Sequence, residues 1–123
     1  MRKRRRVIKS GFEGRAKQMF KDHGIKAAYE ENKIKYDIPK NYVPDFKIGS
    51  IYVETKGFFD VEARQKMKHV KRCNPDLDIR IWFQADKYLT KRKNKKYSDW
   101  ARQHGYPYHI GEEFPLHWFE END

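Results

Sequence analysis

The chain has 123 residues, enough for one domain with a modest core. Its 28 Lys and Arg against 18 Asp and Glu give a formal charge of +10, with a sequence pI of about 9.7. This balance points to a polyanionic partner. A single cysteine excludes an intrachain disulfide and points to a reducing intracellular compartment, and the absence of a long apolar run or signal-peptide pattern leaves a membrane no role.

In chain order, residues 1–9 form a basic arm and residues 10–123 a single domain. A helix is expected over residues 11–23, with Ser10 as N-cap and Gly24 as stop; Phe12, Ala16, Met19 and Phe20 share one face. Residues 27–42 read as a strand followed by an irregular connection, because Pro39 and Pro44 interrupt the alternation. A hairpin follows over residues 44–56. Asp60 caps a helix running to about Arg72 with Ala63, Met67 and Val70 as its apolar stripe, ended by Asn74-Pro75. Residues 79–83 form a strand covered on both faces. A basic loop spans residues 87–96, a short helix opens at Ser98 and stops at Gly105, and residues 106–110 form a last strand. Trp118 and Phe119 dock on the core ahead of an acidic end. The order α-β-β-β-α-β-α-β defines a mixed α/β (α+β) fold: a mixed sheet flanked by helices.

The hairpin carries the chemistry. With Gly49-Ser50 as a two-residue turn, paired positions sum to 99: Ile48 faces Ile51, Phe46 faces Val53, and Asp45 faces Glu54. Opposed residues hold their Cβ atoms ~5 Å apart, and the period of two puts Lys56 on the same face as Glu54. Phe46, Ile48, Ile51 and Val53 form the core face. Two carboxylates this close repel unless a cation lies between them. Mg²⁺ takes oxygen ligands, uses one or two protein carboxylates, and leaves positions for water and phosphate oxygens. Lys56 is placed to orient water or neutralise charge on a phosphate. A cross-strand salt-bridge cluster is the bland alternative; the Pro-Asp start, the turn register and the Glu-x-Lys end make it the minority reading.

Other residues are less specific. Ser10-Gly11-Phe12-Glu13 matches a capping box, in which Glu13 reaches back to the N-cap amide. Three basic clusters are candidates for DNA phosphate contacts: Arg2, Lys3, Arg4, Arg5 and Arg6; Arg64, Lys68, Lys71 and Arg72; and Lys91, Arg92 and Lys93 within the 87–96 loop. A solvated surface is the usual fate of such runs. The five histidines are scattered, and one cysteine cannot build a zinc site. Tyr36, Tyr42 and Trp100 fit the core better than base stacking.

The Pro-Asp … Glu-x-Lys pattern resembles the signature of the PD-(D/E)xK nuclease superfamily. Together with Ser10-Gly11-Phe12-Glu13, His23-Gly24-Ile25, Tyr29-Glu30-Glu31, Val53-Glu54-Thr55-Lys56-Gly57, the run from Asn74 to Ile81 and His104-Gly105, the chain resembles the phage endonuclease I family of Holliday-junction resolvases from about Ser10 to Trp118. That resemblance implies a restriction-endonuclease-like fold and a Mg²⁺-dependent endonuclease, with Mn²⁺ as a substitute, acting on branched DNA, especially four-way junctions, in the host cytoplasm. It implies an intertwined, segment-swapped homodimer in which residues 30–43 bridge the halves and Glu13 reaches the hairpin of the other subunit. By the same resemblance Asp45, Glu54 and the Thr55 carbonyl are metal ligands, Lys56 is the catalytic lysine and Glu13 completes the acidic cluster. The acidic end departs from the long basic tail of that family. A nicking or mismatch-directed nuclease of the same superfamily and a non-catalytic junction-binding protein are the competing readings.

Overall fold

The computed structural model describes residues 11–30, 32–36 and 40–120. The basic arm, the Ser10 cap and the last acidic residues of the sequence reading lie outside them. Helix α1 spans Gly11–Asp22, and short strands β1 (Ala28–Tyr29), β2 (Ile34–Tyr36) and β3 (Lys40–Tyr42) follow. Strands β4 (Phe46–Ile48) and β5 (Ile51–Lys56) form the hairpin. Helix α2 (Val61–Cys73), strand β6 (Asp78–Phe83), helix α3 (Tyr97–Gln103), strand β7 (Tyr108–Ile110) and a 3₁₀ turn (Leu116–Trp118) complete the order.

The main sheet runs β1-β4-β5-β6-β7. β1, β4 and β5 pair antiparallel, whereas β5, β6 and β7 are parallel. Parallel neighbours need a crossover, and α2 and α3 supply the two required. The hairpin register is the expected one: Phe46 opposes Val53 and Ile48 opposes Ile51. Gly49 sits at φ 60°, where a side chain would strain the turn.

The sheet buries both faces. On one, Phe46, Val53 and Trp82 pack against Phe12, Ala16 and Phe20 of α1, with Phe114, Trp118 and Phe119 closing the edge. The Phe20 ring lies 4.9 Å from Phe46 and 5.1 Å from Phe114. On the other, Ile79, Ile81 and Phe83 meet Ala63, Met67 and Val70 of α2 and Trp100 and Ala101 of α3. The alternation along β6 therefore sends Trp82 to one helix layer and its neighbours to the other. Asp60 caps α2 as expected, its Oδ1 accepting the Ala63 amide at 2.9 Å.

Three expectations change. Residues 27–42 do not form one strand and an irregular connection. β1 joins the main sheet, while β2 and β3 make a separate two-stranded sheet, with Ile34 and Tyr42 buried in the core beside α2. Two buried apolar side chains on that excursion outweigh the prolines that argued against strand. α3 starts at Tyr97 rather than Ser98, because the Ser98 amide and hydroxyl are both taken by the Asp86 carboxylate, at 2.9 and 2.6 Å, from outside the helix. The last strand begins at Tyr108, after Pro107, since Tyr106 turns into the core.

Candidate active site

A cavity of about 200 Å³ opens at the C-terminal end of β5, where its neighbours change from antiparallel β4 to parallel β6. Glu13, Asp45, Glu54, Thr55, Lys56, Gly57 and Phe58 line it. Asp45 precedes β4, and antiparallel pairing returns it to the end of β5. Glu13 arrives from the first turn of α1, whose apolar face is anchored by Phe12 and Ala16. All four residues singled out for chemistry thus meet in one cavity, and all come from one chain.

The carboxylates are buried: Glu13 is 4 % exposed, Glu54 5 % and Asp45 7 %. The Asp45 Oδ2 accepts both the backbone N–H and the hydroxyl of Thr55, each at 2.8 Å. Burial pushes the Asp45 pKa well above its ordinary range, and the negative charges of Glu54 and Glu13 push it further, against the two Thr55 hydrogen bonds. Lys56 donates toward Glu54, with Nζ 3.3 Å from Oε2. Burial alone would lower the Lys56 pKa, but Glu54 and Asp45 outweigh it and hold the ammonium above its ordinary value.

Sequence reasoning missed three residues here. Glu30 offers an oxygen that lies, with one each from Glu13 and Asp45, in a set all within 4.8 Å of one another. Glu30 has φ 51°, a left-handed conformation uncommon for a side-chain-bearing residue. Its amide bonds the Asp45 carbonyl at 3.1 Å, so the β1–β4 pairing leads this turn directly into the cluster. The Tyr29-Glu30-Glu31 motif was the only signal for it. Asp45 lines the cavity with Glu54, the expected partner, and also joins Glu13 and Glu30 in a three-carboxylate group.

Tyr29 and Tyr42 are the other two. Tyr29 donates its hydroxyl to Glu13 Oε2 and Tyr42 donates to Glu54 Oε1, each at 2.7 Å. Burial, then the Glu54 charge, raises the Tyr42 pKa well above the ordinary value, so its oxygen stays a donor. Glu54 is therefore held between Tyr42 on one oxygen and Lys56 on the other. We expect Tyr42→Phe to leave the fold intact and lower the cleavage rate roughly 10- to 100-fold, since a hydrogen bond to a charged group is worth roughly 1.5–3 kcal/mol. Single-turnover kinetics beside a thermal melt check this; an unchanged rate would remove Tyr42 from the site.

At 4.8 Å, two unit charges repel by roughly 3–4 kcal/mol at an effective dielectric of about 20. Three such oxygens, from buried Glu13 and Asp45 and half-buried Glu30, are all hard donors and fit a divalent cation of the Mg²⁺ type. Thr55 was expected to contribute its carbonyl; what is seen of it is the amide and hydroxyl fixing Asp45.

The basic residues divide by place. Arg64 and Lys68 line a cleft between α2 and α3, and Arg64 also donates to the Phe59 carbonyl at 2.8 Å. Lys71 sits over the Tyr106 ring, and Arg72 bonds the His69 ring at 2.6 Å. Lys91, Arg92 and Lys93 are exposed in the loop before α3, and residues 2–6 lie outside the described part. No described helix is long and apolar enough to cross a membrane.

A mixed sheet that gathers buried carboxylates and a lysine at a strand end can serve the chemistry of a nuclease. The family model for phage endonuclease I matches residues 1–123, and the chain belongs to that family. It is 35% identical over 105 residues to Endodeoxyribonuclease 1 of Enterobacteria phage T3, covering 81% of this chain and 69% of the relative. It is also 34% identical over 120 residues to Endonuclease I of Escherichia phage T7, covering 94% and 80%. The protein is a phage endonuclease.

Proposed function

We propose that this chain is a Mg²⁺-dependent, structure-selective DNA endonuclease that resolves four-way junctions and cuts other branched DNA by phosphodiester hydrolysis, leaving 5′-phosphate ends. The observation that carries the reading is the 200 Å³ cavity holding Glu13, Asp45, Glu54 and Lys56 on a chain of net charge +10. The name of the T3 relative, Endodeoxyribonuclease 1, supports DNA as the substrate. Asp45, with Glu13, Glu30 and Glu54 around it, would hold the cation; when bound, it supplies charge neutralisation at phosphate oxygens and makes water a better nucleophile.

The side chains do the rest. Thr55 aims Asp45, Tyr42 and Lys56 fix Glu54, and Tyr29 fixes Glu13. Lys56 keeps its proton, so its ammonium neutralises charge gathering on the scissile phosphate. Basic groups on α2 and in the 87–96 loop grip phosphates without reading bases, and the deformability of a branch selects the substrate. The functional unit is a C2 homodimer, which suits paired cuts on a two-fold substrate, with residues 30–43 as its bridge.

The test compares a labelled four-way junction with linear duplex of the same sequence, with Mg²⁺ and with chelator. We expect metal-dependent cleavage at least tenfold faster on the junction. Equal rates would overturn the junction reading, and binding without cleavage under any divalent metal would make the protein a junction-binding one.

A further inference from the structure

Phe58 is 71% exposed, the highest of any large apolar residue among those described, and it lines the same cavity as the carboxylates. Its neighbours in the chain are anchored. The next residue, Phe59, is 1% exposed, with its ring against Phe83, Tyr97 and Trp100. On the other side, the carbonyl of Lys56 accepts the Gln84 amide at 2.9 Å, which ties the backbone before Gly57 to the residue that follows β6. The strand end thus presents one aromatic ring to solvent between two anchored neighbours.

Beyond Phe58 the surface changes character. Val61, 61% exposed, opens α2, and Val61, Arg64, Gln65 and Lys68 follow at helical spacing along one face. With Trp100 and His104 they line a cleft of about 150 Å³ that carries no carboxylate. Arg64 and Lys68 supply its charge; burial, then Lys68 and the nearby Lys95, lowers the His104 pKa. From the cavity outward the order is a site for a cation-bridged phosphate, an exposed ring, and a cationic cleft.

We propose that Phe58 is a stacking platform for a nucleobase next to the scissile phosphate, and that the α2–α3 cleft with Arg64 and Lys68 receives the phosphates that follow on the same strand. This rests on the nuclease reading above. A nucleic-acid strand alternates anion and π face, and this surface alternates in the same way. A second protein chain would bury the ring but has no reason to match the cations beside it. The ring contacts a base most readily where stacking is already broken, as at a branch point, so Phe58 contributes to the choice of branched over linear DNA.

The experiment uses the full chain and a four-way junction with 2-aminopurine at each nucleotide flanking the cut in turn. Binding is followed in chelator and single-turnover cleavage in Mg²⁺. We expect 2-aminopurine fluorescence at one flanking position to be quenched by the wild type and by Phe58→Trp but not by Phe58→Ala. Phe58→Ala should cut the junction about ten- to hundredfold more slowly, the size of a lost base–aromatic contact, with Phe58→Trp restoring most of the rate. Lys68→Ala should reduce the slope of log affinity against log salt by about one. The exposed ring makes the Phe58 variants safe for the fold, which a thermal melt verifies. Wild-type behaviour of Phe58→Ala in both assays overturns the proposal, as does a changed oligomeric state in sedimentation, which would place the ring between copies of the chain. The fluorescence arm decides the matter even if the wild type cuts nothing, an outcome that would sink the nuclease reading separately.

Discussion

Asp45→Asn is expected to stabilise the metal-free protein and abolish cleavage. Asp45 is buried next to Glu54 and Glu13, and its charge is opposed by both. Asparagine keeps an oxygen for the Thr55 amide and hydroxyl and removes the repulsion. We expect a gain of about 1–2 kcal/mol at neutral pH, roughly 4–8 °C in melting temperature. The pH dependence has a definite sign. A carboxyl whose folded pKa is raised above its unfolded value costs nothing while protonated, and stability is lost as pH rises through the folded pKa. The advantage of asparagine should therefore vanish near the ordinary value of 3.8, grow above it and level off once Asp45 is ionised. Adding Mg²⁺ should raise the wild-type melting temperature and leave the variant unmoved, because only the native site binds the ion. Melts with and without metal across pH check this; a variant less stable than the wild type at neutral pH would mean that Asp45 is not under repulsion.

Lys56→Ala has the opposite profile: both activity and stability fall. Its ammonium is the cation beside Glu54, and Asp45 also contributes to holding its proton. Removing one partner of a buried pair leaves uncompensated charge and costs about 3–5 kcal/mol. Its raised pKa means that the stabilisation is present below the ordinary value of 10.5 and disappears as pH rises through the folded pKa. Cleavage should fall about 10²- to 10³-fold, the size of one lost electrostatic contact to the transition state. Junction binding in chelator should persist. Methionine at this position, which fills the volume without charge, separates packing from chemistry: its rate should match that of the alanine variant while part of the stability returns. Near-wild-type cleavage by either variant would remove Lys56 from the catalytic set.

Asp45 and Lys56 share one hairpin with Glu54, and that hairpin is legible in the amino-acid sequence alone. A period of two, one glycine at the turn and four apolar residues on one face leave a single register. The α2 cap and stripe are legible for the same reason, since Asp60, Ala63, Met67 and Val70 act within one helix. Glu30 is not legible. It stands next to Glu31 with no periodicity to distinguish them, and its place in the cluster depends on a left-handed turn and on β1 pairing with β4. Nor is Tyr42, whose hydroxyl meets Glu54 only because β2 and β3 fold back against α2.

The amino-acid sequence by itself determined the hairpin register, the inward faces of α1 and α2, the charge that suits a polyanion and the resemblance to a nuclease family. Each follows from spacing within one element or from composition summed over the chain. Tertiary structure alone decided which carboxylates group together, which tyrosines hold them, and that Phe58 stands exposed where Phe59 is buried. Those contacts join α1, β1, β3 and β5 across the sheet, and no local pattern encodes which distant side chain fills a given space. The physical reason is that register and amphipathicity are set by near neighbours, whereas the potential inside a buried cavity is the sum over every charged and polar group that the fold brings to it.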